Sequence, residues 1–173
     1  EVNEVITVKL ASITGSKPVY KAGQFLTLAF NIGDKELRRS YSAYSSPLVN
    51  EPLAIAVKLV ENGEISRFLH HSLRAGDIVE VTAPNGMFFY EPEHQKERTV
   101  FLFAAGVGIT PLFSILKTAL VGEQKSKIVL IYSSRSAEET LFLEELKEWQ
   151  NNYPDRFKLI HLFSNSKNLL RAR

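Results

Sequence analysis

The pattern of apolar and polar positions divides the chain into two halves. In the first half, short runs rich in β-branched and aromatic residues alternate with turns containing glycine, proline or asparagine, which is typical of antiparallel β-structure. The pattern predicts six strands, at Val2–Leu10, Gln24–Phe30, Arg39–Tyr44, Leu53–Val60, Ile78–Thr82 and Met87–Tyr90. One helix is predicted at Ile65–Leu73, where apolar residues recur at helical spacing. Six short strands at this spacing indicate a small six-stranded antiparallel barrel.

The second half follows a different pattern. The charged segment Glu91–Arg98 indicates a linker, so we expect two domains, at 1–95 and 96–173. Beyond the linker the sequence predicts strands at Val100–Ala105, Ile128–Tyr132 and Phe157–Phe163, and helices at Pro111–Val121 and Ala137–Gln150. This alternation indicates a parallel, Rossmann-like α/β domain. Because Val100–Ala105 is apolar throughout, we expect it to be buried on both faces.

The predicted α/β domain is expected to be incomplete. In a doubly wound sheet the first strand lies centrally, whereas three strands would leave Val100–Ala105 at an edge with unpaired backbone groups. The chain also begins at Glu1 inside a predicted strand, and Met87 is its one methionine. We therefore expect the natural protein to continue beyond Arg173.

Composition narrows the function classes. The 173 residues carry 21 basic and 19 acidic side chains, so no net field directs the chain to nucleic acid. No apolar stretch approaches the roughly 20 residues of a membrane span. The absence of cysteine excludes thiolate metal and iron–sulfur ligation within these residues and suits a reducing, cytoplasmic location. The four histidines do not have metal-site spacing, so we expect no metal.

A glycine-rich turn joins the predicted strand Val100–Ala105 to the helix that follows. Gly106 and Gly108 would let the backbone approach a pyrophosphate at the positive end of the helix, and Pro111 suits the first helical turn. Thr110-Pro111 replaces the third glycine of the usual dinucleotide fingerprint. The alternative is a tight strand–helix turn that binds nothing.

The next predicted strand ends in Ser133-Ser134-Arg135-Ser136, where a fold that prefers NAD usually has an acidic residue. Hydroxyls and a guanidinium suit the 2′-phosphate of NADPH instead. The same residues could also cap a helix that begins near Ala137, with Ser136 as the N-cap.

Two further motifs lie in the barrel half. Arg39-Ser40-Tyr41-Ser42 places a cation and an aromatic ring on one strand face, suited to a phosphate and a stacked heterocycle, or else forms an ordinary exposed strand. Gly63-Glu64-Ile65-Ser66 opens the one helix of this half, which offers either an anion site or a plain serine cap.

These three motifs, in this order, resemble the ferredoxin–NADP reductase superfamily, and most closely the reductase components of oxygenase and phenylacetate-type systems. The resemblance implies a reductase that passes hydride from NADPH to FAD, with FMN the less expected flavin, and then single electrons to a protein acceptor such as a ferredoxin, a flavodoxin or an iron–sulfur domain. The alternatives are a non-catalytic flavin or nucleotide sensor and an interaction domain.

The resemblance also assigns roles to individual residues. It implies that Arg39 contacts the flavin phosphate, that Tyr41 stacks on the flavin ring, and that Ser40 and Ser42 also contact the flavin, with Ser42 near N5. It also implies that the backbone of Ala56, Val57 and Lys58 lines the flavin. Gly63, Ile65 and Ser66 would bind the diphosphate. It implies that the dinucleotide is bound by Gly106, Gly108, Thr110 and Pro111, with Thr110 nearest the reacting ring, and by Ser133 and Arg135 at the ribose phosphate. The family's later Cys-Gly-Pro segment does not occur in these residues, so we expect impaired hydride transfer by this chain alone.

Overall fold

The computed structural model describes residues 4–16, 18–32 and 35–165. The first half contains strands β1 (Val5–Leu10), β2 (Phe25–Ile32), β3 (Lys35–Ser42), β4 (Leu53–Lys58) and β5 (Glu80–Val81), with helix α1 (Glu64–His71) between β4 and β5. The second half contains β6 (Thr99–Ala105), α2 (Ile109–Gly122), β7 (Lys127–Ser134), α3 (Leu143–Asn152) and β8 (Phe157–Phe163). The first residues of the predicted strand Val2–Leu10 lie outside the described ranges.

The first half is an antiparallel barrel of two small sheets. One sheet pairs β1 with β4, the other has the order β3-β2-β5, and a bridge between Ala43 and Ile55 joins them. Strand β4 is buried along Leu53–Val57, because Ile55 and Val57 face the barrel core while Ala56 faces the second half. The prediction of an antiparallel barrel is confirmed.

The predicted sixth strand, Met87–Tyr90, is not a strand in the structure. Five strands form in the described part of this half, and only single bridges, such as that between Ala22 and Tyr90, extend the pairing. Gly86 has a φ of 115°, which turns the chain away from a regular ladder. Met87 is 91% exposed as a result. The apolar run that predicted this strand therefore does not mark a paired, buried segment.

The second half has the predicted parallel sheet, in the order β6-β7-β8. The expectation that β6 is buried on both faces is wrong: Leu102 and Ala104 are buried, whereas Phe101 and Phe103 are 58% and 69% exposed. Helix α2 packs on one face of this strand, and no described element covers the other. An apolar run therefore indicated a strand without telling how many of its faces are covered.

Helix α3 begins later than the sequence predicted. The residues from Ala137 to Phe142 form turns instead of helix, held by Thr140, whose hydroxyl donates to the Ser136 carbonyl at 2.7 Å. Phe142 then adopts a left-handed φ of 61° and is buried against Tyr44 and Phe113. A left-handed non-glycine residue costs about 1–3 kcal/mol, which burial of this ring offsets.

Helix α2 joins the two halves into one packed unit. Its buried residues share a core cluster with Val5, Ala22 and Ala56 of the barrel. Close approach depends on Gly23, where a Cβ atom would lie 3.1 Å from Cδ1 of Ile115 on α2. The Gly106–Gly108 turn that precedes this helix contacts β4, which carries the predicted flavin residues Ala56–Lys58.

Candidate functional site

The glycine-rich turn follows β6 directly and ends at the start of α2. Gly106–Gly108 forms a short 3-10 turn, and Gly106 has a φ of 49°, a conformation that side chains with a Cβ atom disfavour. The buried Tyr132 hydroxyl donates to the Gly106 carbonyl at 3.0 Å, and burial raises the pKa of Tyr132 to about 12. Tyr132 thus remains a protonated donor that holds the turn in place.

The turn offers an open backbone surface at a helix N-terminus. Apart from adjacent residues and the backbone of the helix itself, no atom of the described residues lies within 4 Å of the position that a Cβ atom would take at Gly106 or Gly108. The first N–H groups of a helix have no partner within the helix and carry partial positive charge, so the surface fits a phosphate. Thr110 is buried, and its hydroxyl donates to the Val107 carbonyl at 3.1 Å, while Pro111 lies in the first turn of α2. Thr110 therefore shapes the turn from inside.

The end of β7 lies next to this turn, because Ser133 pairs with Ala105 in the parallel ladder. Arg135 follows the strand, is 71% exposed, and has its guanidinium 3.8 Å from the Glu139 carboxylate. The alternative in which Ser136 caps a helix beginning near Ala137 is wrong, since α3 begins at Leu143. The guanidinium is therefore exposed and only loosely paired at the carboxyl edge of the sheet.

The Arg39–Ser42 motif lies on β3. Arg39 and Tyr41 are opposite the buried Leu28 and Leu26 of β2, so these two predicted flavin residues share a face. Burial raises the pKa of the half-buried Tyr41, and the nearby Arg39 opposes that shift. The Ser40 hydroxyl is 2.8 Å from that of Thr27, so the structure does not bring its side chain to the same face.

Strand β4 brings its predicted flavin residues to the second half. Ser42, half-buried, is the last residue of β3. Ala56 and Val57 are buried, and the Val57 carbonyl accepts a hydrogen bond from Nε2 of His70 at 3.0 Å. Lys58 is exposed at the end of β4, which contacts the Gly106–Gly108 turn.

The Gly63–Ser66 motif begins α1 without a side-chain cap. The Ser66 hydroxyl donates to the Gly63 carbonyl at 3.1 Å and accepts from the Val60 N–H at 3.1 Å. Gly63 is required here, because a Cβ atom would lie 2.5 Å from the Ser66 oxygen. Ile65 is buried in the barrel core, so only its backbone can face a ligand.

One cavity brings residues of both predicted sites together. It has a volume of about 110 Å³, and its lining includes Lys58 of the barrel and Gly106, Ser134 and Arg135 of the α/β half. Lys58 is loosely paired, 3.5 Å from Glu4, which also lines the cavity. Arg39, Tyr41 and the Gly63–Ser66 motif are not part of this lining. A larger cavity of about 420 Å³ between residues 10–20 and 46–53 contains none of the predicted site residues.

The sequence did not reveal two supports of this site. Tyr132 holds the glycine turn and His70 holds the Val57 carbonyl, and neither was singled out for such a role. The sequence did indicate that Tyr132 needs a partner, because a tyrosine buried inside an apolar parallel strand must hydrogen-bond through its hydroxyl. His70 offered no comparable signal, since its partner lies 13 residues away.

The chain matches two protein-family models. An oxidoreductase FAD-binding domain matches residues 6–90, and an oxidoreductase NAD-binding domain matches residues 102–170. None of the helices in the described ranges is long and apolar enough to cross a membrane.

Several relatives match most of the chain. It is 35% identical over 166 residues to a component of the 1,2-phenylacetyl-CoA epoxidase of Escherichia coli (strain K12), covering 95% of this chain and 46% of that protein. It is 35% identical over 155 residues to the ferredoxin reductase component of 3-ketosteroid-9-alpha-monooxygenase of Rhodococcus rhodochrous, covering 88% of this chain and 43% of that protein. The chain therefore spans less than half the length of these two relatives.

A solved structure shows the same fold. The flavohem-like FAD/NAD binding domain of nitric oxide dioxygenase from Vibrio cholerae O1 biovar El Tor superposes with a TM-score of 0.82 and 28% identity. The match covers 95% of this chain and 70% of that one. With its barrel, its parallel sheet and both domain matches, the chain belongs to the ferredoxin–NADP reductase superfamily and has that superfamily's FAD-binding and NAD-binding domains.

Proposed function

We propose that the protein is a reductase that takes reducing equivalents from NADPH, uses FAD as its cofactor, and delivers electrons singly to a protein acceptor. The observation that carries the proposal is the cavity whose lining includes Lys58, at the end of a barrel strand, together with Gly106 and Arg135 of the α/β half. Bound flavin supplies the chemistry, because it accepts a hydride from reduced nicotinamide and releases electrons one at a time. The protein binds and orients both groups.

The barrel, proposed as a domain of residues 1–95, holds FAD. Arg39 and Tyr41 share a face of β3, which supports a phosphate contact and ring stacking by these two side chains. The backbone of Ala56–Lys58 and the side chain of Ser42 line the flavin in this proposal, and Ser42 donates a hydrogen bond near the reacting atom. The start of α1 at Gly63–Ser66 takes the diphosphate, which favours FAD over FMN.

The α/β half, proposed as residues 96–173, holds NADPH. The open backbone of Gly106 and Gly108 at the start of α2 receives the pyrophosphate. Arg135 and Ser133 bind the 2′-phosphate, a role supported by the 71% exposure of Arg135 and its loose pairing. Thr110 and Pro111 shape the turn beside the nicotinamide. Ser42 and Thr110 act as hydrogen-bonding and positioning groups here, without acid–base chemistry.

The acceptor in this proposal is a redox protein such as a ferredoxin or an iron–sulfur domain. Support comes from the Rhodococcus relative, which is itself a ferredoxin reductase component. An electron acceptor of this class suits a flavoprotein, because iron–sulfur centres accept one electron at a time.

Anaerobic titration tests the proposal. The full-length protein is loaded with FAD, freed of unbound flavin, and mixed with NADPH while the flavin absorbance is followed. We expect a yellow protein that NADPH bleaches. A yellow protein that NADPH and NADH both leave unbleached would indicate a flavin-binding sensor, and a protein that retains no flavin would indicate an interaction domain.

A further inference from the structure

A buried ion pair crosses the junction between the two halves. Nζ of Lys117, on α2, lies 2.6 Å from Oε1 of Glu51, in the segment that joins β3 to β4. The Lys117 side chain is 3% exposed and that of Glu51 is 26% exposed. Burial lowers the pKa of Lys117, and the nearby Glu51 carboxylate opposes that shift.

Two hydrogen bonds beside the pair also cross the junction. The Ser114 hydroxyl donates to the Ser45 carbonyl, and the Thr118 hydroxyl is 2.7 Å from that of Ser46. Ser114, Lys117 and Thr118 are three and four residues apart, so they lie on one face of α2. The Ser46 N–H in turn donates to the Glu51 carboxylate at 2.6 Å. One face of the helix is therefore tied to one short segment of the barrel.

This polar network can fix the rotation of α2 against the barrel, which apolar packing alone leaves undetermined. The Lys117 ammonium lies over the rings of Phe113 and Tyr44, at 4.6 and 5.4 Å from their centroids. Burial of apolar surface is non-directional, so it favours contact between α2 and the barrel without selecting one rotation. A charge-assisted hydrogen bond has a defined geometry, and an unpaired buried charge is costly in every other arrangement.

The network joins the two chain segments that carry the proposed cofactor sites. Helix α2 begins at the Gly106–Gly108 turn, and residues 43–52 lie between Ser42 of β3 and the start of β4. We propose that Lys117 and Glu51 are positioning residues that fix the angle between the barrel and the α/β half, and with it the approach of the nicotinamide to the flavin. The cofactor identities rest on the proposed function, whereas the angle does not.

The angle is measurable without any cofactor. Because the chain has no cysteine, the exposed Lys9 of β1 and Glu148 of α3 can be replaced by cysteine (Lys9→Cys, Glu148→Cys) and labelled with nitroxides. Pulsed electron paramagnetic resonance then gives the distribution of distances between the two halves. Lys117→Met and Glu51→Gln each remove one charge, and circular dichroism checks that each variant is folded.

We expect a shifted or broader distance distribution in both variants and a return toward the original distribution in Lys117→Arg. The matched control is Lys147→Met, because Lys147 is also paired on a helix, 2.7 Å from Glu144, but is 53% exposed. It should leave the distribution unchanged. Unchanged distributions in folded Lys117→Met and Glu51→Gln would overturn the proposal.

A kinetic measurement separates positioning from a general loss of structure. In the FAD-loaded full-length protein, Lys117→Met should slow bleaching at saturating NADPH by up to about 100-fold, because displacing the reacting groups by about 1 Å can reduce a reaction rate by that factor. Flavin retention and the NADPH concentration at half-saturation should stay within about twofold of the unaltered protein. Loss of binding at an unaltered saturating rate would contradict a positioning role. If NADPH does not bleach the unaltered protein, the proposed function fails. The distance measurement still tests whether Lys117 and Glu51 fix the angle between the two halves.

Discussion

Charged residues at the junction between the two halves are buried and closely paired, whereas those in the cavity lined by Lys58 and Arg135 are exposed and loosely paired. At the junction, Glu123 follows α2 and pairs with Arg98 of the predicted linker, where it also accepts from the Glu93 N–H. Glu123 and Lys117 are both almost completely buried, and hydrogen-bonded partners compensate each charge. In the cavity, Lys58 and Arg135 are exposed, and their nearest carboxylates are 3.5 and 3.8 Å away. Exposed pairs at such distances contribute about 0–1 kcal/mol, so these cations can exchange their partner for a ligand. Junction charges should therefore control stability, and cavity charges should control binding.

The largest effect expected is at Glu123. Burial raises the pKa of its carboxyl, but hydrogen bonds from Arg98, Ser126, Tyr90 and the Glu93 backbone outweigh burial and lower the pKa to about 2. We expect Glu123→Gln to reduce the free energy of unfolding by about 3 kcal/mol at pH 7, measured by urea denaturation. Glu144→Gln, which alters an exposed ion pair, should change it by less than about 0.5 kcal/mol. Similar losses in both variants would remove the distinction between junction and surface charges.

The same carboxylate should make stability depend on acid. Because the pKa of Glu123 is lower in the folded than in the unfolded state, its contribution is complete above the unfolded value of about 4.3 and is lost as the pH falls toward 2. The stability difference between the original protein and Glu123→Gln should therefore shrink over that range. A difference that stays constant between pH 6 and pH 2.5 would contradict the lowered pKa.

Arg135 should show the next largest effect, on binding and not on folding. A hydrogen bond to a charged group contributes about 1.5–3 kcal/mol, so Arg135→Ala should raise the KM for NADPH by about 10- to 100-fold in the full-length protein. The KM for NADH and the unfolding midpoint should barely change, because Arg135 is exposed and only loosely paired. Equal losses with both nucleotides would exclude Arg135 from the 2′-phosphate role.

Substitutions at Gly106 and Gly108, the two glycines of the turn before α2, distinguish the effect of backbone strain from the effect of lost ligand space. Gly106 has a φ of 49° and Gly108 a φ of −61°, yet a Cβ atom at either would meet no atom of a more distant described residue within 4 Å. Gly106→Ala should therefore cost about 1–2 kcal/mol of stability, and Gly108→Ala should cost less than about 0.5 kcal/mol. Isothermal titration with NADPH should show weaker binding by both variants, since each added methyl group occupies open space in the turn proposed to bind the pyrophosphate. Undiminished binding by Gly108→Ala would contradict that location.

Tyr41 is expected to give the smallest effect. Stacking of an aromatic ring contributes about 0.5–1.5 kcal/mol beyond its burial, so Tyr41→Ala should weaken FAD binding by about 2- to 12-fold. Tyr41→Phe retains the ring and should bind FAD nearly as well as the unaltered protein. Flavin fluorescence during titration measures both constants, and equal weakening by the two variants would show that the ring does not stack on the flavin.

Much of the fold could be predicted from local patterns in the sequence. The parallel sheet and the glycine turn follow from a continuous strand–turn–helix segment, so their residues are neighbours in sequence as well as in space. The late start of α3 could not be predicted, because the left-handed Phe142 is held by Tyr44 and Phe113, 98 and 29 residues away. The same limit applies to β6, whose exposed face depends on which elements pack against it.

The sequence by itself determined the types of most elements, the glycines of the Gly106–Gly108 turn, and the residue classes suited to phosphates and aromatic ligands. Only the tertiary structure decided which charges are buried, since Arg98 meets Glu123 across 25 residues and Lys117 meets Glu51 across 66. It also decided that Lys58, Gly106 and Arg135 line one cavity. The physical reason is that backbone preference and face periodicity are local, whereas desolvation and charge pairing depend on segments that packing brings together.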